Sequence, residues 1–396
     1  MYIKMYDVNF GEAIIYDNSN SKLLVDCGAK FGGRGELAYR AIADDFIFGR
    51  DDILITHFDE DHYNGLIAMA KDHRKVRRIY LPKYVVTDEG VGYTDNEFMD
   101  RLRAIMYLYL LGKKDRLDGL QELFISIIAL AAPKFDIRSV AYGDVVSVGS
   151  SQFDILWPEI DSSINFDLLS DRIRDLFIEA MSDNNQIIEM VDGIIDNYIG
   201  VFVDFYSAVN GLDAITGEIQ EQFEQLRTRF YVSYQQLEAA EEQIQGMIPK
   251  QILERTKFAN ASLLKRQNNC SVVFSCGKTI LALGDVHKDV VRRLKKKGRI
   301  AKQYNYIKAP HHGTNRHMGV ALPCAKDAVF ISNSGKWRED DWTISYKYPK
   351  KYGNRVYCTN TNGKRCVWIS KGNRCCTNCN VGIKKATDPV RIFVYV

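Results

Sequence analysis

The chain has 396 residues, 46% hydrophobic and 26% charged, with 53 Lys+Arg against 50 Asp+Glu and a net charge of +3. This composition supports a large core over two or three domains and excludes a disordered chain. The longest apolar run, residues 123–132, is too short for a bilayer span of about 20 residues, and the start MYIKMYDVNF lacks the segments of a signal peptide.

Nine cysteines without a regular disulfide framework fit a reduced, cytoplasmic protein that does not meet a membrane. Along the chain, the apolar runs 13–16 and 22–25 flank the turn-forming Asp17-Asn18-Ser19-Asn20, which predicts a hairpin ending at Asp26-Cys27-Gly28. Residues 53–55 read as a buried strand, 56–63 as a polar loop, 65–71 as the start of a helix, and 78–81 as another strand. Strand, loop, helix and strand imply a layered α/β core. Residues 97–132 read as helix, with Met99, Leu102, Ile105, Met106 and Tyr109 mostly three or four apart. Strands resume at 144–148, 153–157, 271–275 and 279–283.

Between the second and third of these the composition changes. Residues 159–248 hold 18 acidic and 4 basic side chains, a charge of −14 over 90 residues. Leu212, Ile215, Ile219, Phe223, Leu226, Phe230, Leu237, Ile244 and Met247 recur near helical or heptad spacing, with Glu and Gln between them. The segment 159–264 therefore reads as an acidic, coiled-coil-like helical insertion. It is either a helical hairpin packed on its host, or an arm for homodimerisation or a protein partner through 159–248. The remaining 306 residues carry 49 basic and 32 acidic side chains, or +17. Their charge concentrates at 288–302 and from Lys336 onward, the footprint of a polyanion binder. Arg292, Arg293, Lys295, Lys296 and Lys297 are candidate nucleic-acid contacts, with a solvated helix face as the alternative. Trp337, Trp342, Tyr346, Tyr348, Tyr352, Tyr357 and Trp368 interleave the basic tail and offer stacking surfaces for bases.

The chemistry concentrates in Thr56-His57-Phe58-Asp59-Glu60-Asp61-His62, directly after the 53–55 strand. A divalent cation needs imidazole and carboxylate groups converging from several directions, and His57, Asp59, Asp61 and His62 offer four within six positions. In an extended turn His57, Asp59 and Asp61 share one side, and His62 points towards a second ion. Leu281-Ala282-Leu283-Gly284-Asp285 ends a strand in a carboxylate, and Ile307-Lys308-Ala309-Pro310-His311-His312-Gly313 ends another in a His pair. Strand C-terminal ends are where open α/β sheets place their ligands.

Together these motifs resemble the metallo-β-lactamase fold, whose His-x-His-x-Asp-His is matched by His57-Phe58-Asp59-Glu60-Asp61-His62 with Asp59 in the second-His position. They resemble most the hydrolase domain of the ComEC-type competence channel, including Asp7-Val8-Asn9-Phe10-Gly11-Glu12-Ala13 and Leu23-Leu24-Val25-Asp26-Cys27-Gly28 at its opening hairpin. The likeness extends over roughly 1–95, 140–158 and 265–370. It implies a four-layer αβ/βα sandwich, split into 1–158 (with a helical excursion at 97–132) and 265–396 by the insertion at 159–264. It also implies two divalent ions, Zn2+ or Mn2+. His57 and Asp59 would hold one, Asp61 and His62 the other, with Asp285 bridging and one of the His pair completing the second site. We assign His311 to the metal, and Asp61 and His312 to catalysis. The histidine that is not a ligand would protonate the leaving oxygen or orient a phosphate. Two ions about 3.5–4 Å apart would activate a water for phosphoryl transfer. Two departures are notable: only His73 lies between the first motif and Asp285, in a basic surface-like stretch, and Thr314 follows His-His-Gly where the family has Ser. A structural zinc at Cys358, Cys366, Cys376 and Cys379 competes with free or buried thiols.

The resulting expectation is a phosphodiesterase acting on nucleic acid, DNA favoured, in the manner of a bacterial defence effector. The alternatives are a hydrolase of a small ester, lactone or phosphoester, and a non-catalytic binding subunit of a larger assembly.

Overall fold

The computed structural model describes residues 1–30, 35–83, 87–88, 92–93, 97–159, 169–182, 184–210, 217–313, 317, 322–333, 355–359 and 390–394. The chain forms two units, Met1–Pro82 with Val140–Glu159 and Asn268–Val396, and Lys83–Ser139 with Ile160–Gln267. In chain order the elements are β1 (Tyr2–Met5), β2 (Gly11–Asn18), β3 (Ser21–Ala29), α1 (Gly35–Ile42), β4 (Asp52–Leu54), α2 (Glu60–Lys71) and β5 (Arg78–Pro82). These are followed by β6 (Thr87–Asp88), β7 (Gly92–Tyr93), α3 (Glu97–Leu110), α4 (Asp115–Ala131), β8 (Ile137–Val140), β9 (Val145–Val148) and β10 (Ser151–Trp157). Then come α5 (Leu169–Ala180), α6 (Asn185–Asn210), α7 (Gly217–Ile244) and α8 (Lys250–Asn269). The chain closes with β11 (Val273–Cys276), β12 (Ile280–Ala282), α9 (Lys288–Lys296), β13 (Tyr304–Lys308), β14 (Cys324–Ser332), β15 (Arg355–Cys358) and β16 (Val390–Phe393).

The first unit is built on two mixed sheets. One runs β16-β1-β2-β3-β4-β5-β8, ending at Val140 where the chain re-enters the unit, and the other runs β15-β14-β13-β12-β11-β10-β9. Each joins an antiparallel meander to parallel strands, as in β2 against β3 followed by β3 beside β4. Strand alternation explains the layering. In β12, Ile280 and Ala282 join Ile14, Tyr16, Leu23 and Val25 of the first sheet in one core, so the sheets stack face to face. Leu281 points the other way and packs with Val290, Val291 and Leu294 of α9. On the outer face of the first sheet, α1 and α2 pack against β3. The result is a layered, mixed α/β unit.

The predicted hairpin is present, as β2 and β3 with a turn at residues 19–20. One boundary differs in a way that matters. Helix α2 begins at Glu60 rather than at 65, with Asp59 at its N-cap in an extended conformation (φ −94°, ψ 142°). Asp61 and His62 are therefore helical, not part of an extended turn. The helix starts early because β3 leaves room for it. A Cβ on Gly28 would lie 2.4 Å from the Asp61 carbonyl carbon and from the His62 nitrogen, and one on Gly65 would lie 2.5 Å from Cys27 Sγ. Asn64 then fastens the helix, accepting from the Ala29 N–H at 2.9 Å and donating to the Ala29 carbonyl at 2.6 Å.

The second unit is helical over most of its described length. The excursion expected at 97–132 is the pair α3 and α4, and it belongs with the insertion helices rather than with the sheets. Its core is aromatic: Phe124 of α4 meets Phe202 and Phe205 of α6, each at 4.9 Å between ring centroids, and Phe135 stacks on Phe223 at 5.2 Å. The open N-terminus of α5 is closed by Asp100 of α3, which accepts from the Leu169 and Ser170 N–H groups at 3.0 and 2.8 Å. That contact satisfies two amides that have no partner inside their own helix. Among the described residues no helix is long and apolar enough to cross a membrane.

Candidate metal centre

The site sits at strand ends of the first unit. β4 leads into Thr56 and His57, β12 into Gly284 and Asp285, and β13 into the His311–Gly313 turn. The two sheets are joined there by the Val272 N–H, which donates to the Thr56 carbonyl at 2.8 Å, and the two later loops by the His311 N–H, which donates to the Gly284 carbonyl at 3.0 Å. Gly284 has φ +50°, and a Cβ there would lie 2.7 Å from the Ser271 side chain, so glycine is required. His311 and His312 both take left-handed backbone angles, φ 47° and 54°. Conformations of this kind cost about 1–3 kcal/mol each and persist only where the surroundings hold them. Here Ser332 Oγ donates to the His312 carbonyl at 2.6 Å, helping to hold the turn.

Asp26 organises the first motif. Ala13 pairs with Cys27 and Ile14 with Val25, which leaves Asp26 as the extra residue of a β-bulge, at φ +57°. A bulge re-aims a side chain, and this one turns the Asp26 carboxylate towards the motif. It accepts from the Thr56 N–H at 2.7 Å, from Thr56 Oγ1 at 2.7 Å and from His62 Nδ1 at 2.8 Å. Because the Thr56 hydroxyl hydrogen goes to Asp26, its oxygen is left to accept from His57 Nδ1 at 3.0 Å. His312 Nδ1 donates to the Asn333 carbonyl at 3.0 Å. All three imidazoles thus commit Nδ1 outward and turn Nε2 inward, the arrangement that fixes a metal-binding histidine.

The inward atoms converge. His62 Nε2 lies 3.1 Å from Asp285 Oδ2, and His312 Nε2 lies 3.6 Å from the same oxygen and 3.5 Å from Asp61 Oδ2. Donors around one ion at about 2.0–2.2 Å are themselves about 3.0–3.6 Å apart, so these separations fit one coordination sphere. His57 Nε2 is 3.5 Å from Asp59 Oδ2, and its ring centroid is 4.1 Å from that of His62. The Nε2 atoms of His57 and His312 are buried without a hydrogen-bond partner, a costly state that a bound cation removes. Glu12, His62, Asp285 and His312 also form a fully buried group whose ligand atoms all lie within 4.8 Å of one another and could hold a metal ion.

The electrostatics match. Burial alone would raise Asp285, but His62, His312 and Lys308 outweigh it and hold this carboxyl well below its ordinary value. Asp61 is likewise lowered against its burial by His312 and His62. Burial would lower His62, yet Asp285 and Asp26 raise it well above the usual imidazole value. His311 behaves differently. It is 27% exposed at the rim, with Nε2 3.9 Å from Asp285 Oδ2 and its ring 4.1 Å from that of His317. Burial pushes it down to about 3. Of the His pair it is therefore His312 that enters the buried group, while His311 lies beside it.

The residues expected to meet nucleic acid are placed on α9. Glu159 takes ion pairs from Arg293 at 2.7 Å, from Arg299 at 2.5 Å and from Lys297, and Arg292 pairs with Asp289 at 2.7 Å. Part of the basic run is thus a clasp around one buried-edge carboxylate, while Lys295 and Lys296 are exposed. His73 is exposed after α2. Cys358 ends β15, whereas Thr314, Cys366, Cys376, Cys379 and the tail tryptophans lie outside the described residues. Glu12, Lys308 and Asn333 were not among the sequence candidates. The available signal was a charged residue on an otherwise buried strand, since Glu12 and Lys308 are each 1% exposed.

No protein-family model matches the chain, and no curated protein matches it. The functional reading therefore stands on this site and on the motif resemblance.

Proposed function

We propose that the chain is a metal-dependent hydrolase of the metallo-β-lactamase fold, a four-layer αβ/βα sandwich, that cleaves phosphodiesters of nucleic acid, DNA first. The observation that carries this reading is the buried convergence of His62, His312, Asp285 and Asp61 with Nε2 of each histidine turned inward. His57 with Asp59 supports a second ion beside it. A divalent cation held there would act as a Lewis acid on a phosphoryl oxygen and acidify a water. The nitrogen and oxygen donors suit Zn2+ and Mn2+ alike.

The chain's own residues orient and shield. Asp26 and Thr56 hold His62 and His57 in one tautomer, and the buried walls exclude water from the ligands. His311, at the rim beside Asp285, is placed to orient a phosphate through its ring N–H. The net +17 outside residues 159–248 favours a polyanionic substrate over a neutral ester.

The test is the purified protein with Mn2+ or Zn2+ on labelled single- and double-stranded DNA and RNA, with Asp61→Ala as control. Cleavage that falls steeply with salt is expected. Bound metal with no cleavage of any nucleic acid overturns the substrate assignment.

A further inference from the structure

A buried ion pair beside the metal centre has no part in the reading above. Lys308 Nζ, on β13, lies 2.5 Å from Glu12 Oε2 on β2 and 3.5 Å from Asp285 Oδ1, and donates to the Gly284 carbonyl at 3.2 Å. Both side chains are almost wholly buried, at 2% and 1% exposure. Glu12 is also one of the four residues whose ligand atoms gather within 4.8 Å. Its carboxylate therefore stands within reach of two cations, a metal ion that can leave and an ammonium that is part of the strand.

Geometry favours the ammonium. Lys308 already touches Oε2, whereas His312 Nδ1 stands 3.8 Å from that oxygen. That nitrogen donates its hydrogen to Asn333 and faces away from the inward Nε2. Asp285 is divided in the same way, with Oδ1 towards Lys308 and Oδ2 towards the histidines. We infer that Lys308 holds Glu12 out of the coordination sphere and so sets the cation affinity and preference of the centre. The ligands are then His62, Asp285, His312 and Asp61. Freed from Lys308, Glu12 becomes an added hard oxygen donor, which favours Mn2+ over Zn2+. The inference rests on the proposed metal centre.

The experiment is equilibrium dialysis of metal-stripped full-length protein against Mn2+ and against Zn2+, for wild type, Lys308→Met and the double variant Glu12→Gln/Lys308→Met. Lys308→Met should bind Mn2+ at least tenfold more tightly than wild type, with a smaller gain for Zn2+. The double variant removes both charges together, so it should return to within threefold of wild type. Unchanged or weaker Mn2+ binding in folded Lys308→Met overturns the inference. So does a tenfold loss in the double variant, which would make Glu12 a ligand and decides the matter even if Lys308→Met does not fold. Wild type that binds neither ion overturns the metal centre itself, a result distinct from wild-type binding with either of those two failures.

Discussion

At the scale of single residues, the site depends on what stands behind the ligands. Asp26 gathers three hydrogen bonds, two of them on the path to His62 and His57. Asp26→Asn keeps the shape but puts an amide donor where an acceptor is needed. We expect metal affinity to fall about 10–100-fold, read by equilibrium dialysis, and an unchanged affinity would show that Asp26 does not orient the ring. The His pair gives a second prediction. His312→Ala should abolish metal retention, whereas His311→Ala should keep the metal and slow turnover, and the reverse pattern would support the assignment made from sequence. The ligand types were legible because four of them crowd six positions. Which of two adjacent histidines turns inward was not, since that is decided by the left-handed backbone at 311–312 and by the Asn333 carbonyl, which accepts from His312 Nδ1. Glu12 and Lys308 escaped notice because a single charge in an apolar run is commonly an edge feature, and only their 296-residue separation in sequence closing to 2.5 Å reveals the pair.

At the scale of elements, the contact of β3 with α2 places half the ligands. Gly28→Ala would force a Cβ into the first turn of α2. Overpacking of this kind costs about 1–3 kcal/mol, so we expect both a lower melting temperature and weaker metal binding. A loss of stability alone would uncouple the helix start from the site. The sequence showed the helix but not its start, because Asp59, Glu60 and Asp61 look like loop residues until Gly28 lets the helix come close. Helix α9 carries a pH-dependent prediction. Burial would raise the Glu159 carboxyl, but hydrogen bonds from Lys297 and Arg299 and the charge of Arg293 lower it overall. A carboxyl lowered on folding contributes stability above its unfolded value of about 4.3, and that contribution fades as pH falls through the folded value. The melting-temperature gap between wild type and Glu159→Gln should thus be full at pH 7 and close below about pH 4. A gap independent of pH would refute the clasp.

At the scale of the molecule, the composition shift near 159 and 264 lies close to the unit boundaries at Ile160 and Gln267. Acidity marked the insertion, but helical periodicity says only that a face is buried, not against what. So the grouping of α3 and α4 with α6 and α7 had to await the aromatic contacts of Phe124. Removing residues 159–248 alone would strip α3 and α4 of these partners, so a test of the arm should carry 83–139 with it. Because the ligands belong to one unit, saturating metal should raise one calorimetric transition and leave the other in place. The gain is about 2.7 kcal/mol at a hundred times Kd. A shift of both transitions together would show that the units unfold as one.

The ligands are also spread in time. Asp61 and His62 come early in the chain, while Asp285 and His312 follow more than two hundred residues later. At about 5–20 residues per second, a ribosome takes over ten seconds to travel from His62 to His312. During that interval the emerging polypeptide holds only half of the proposed metal-binding donors. By the proposed function, an unfinished product lacks the complete donor set and could not cleave nucleic acid while it is still being made.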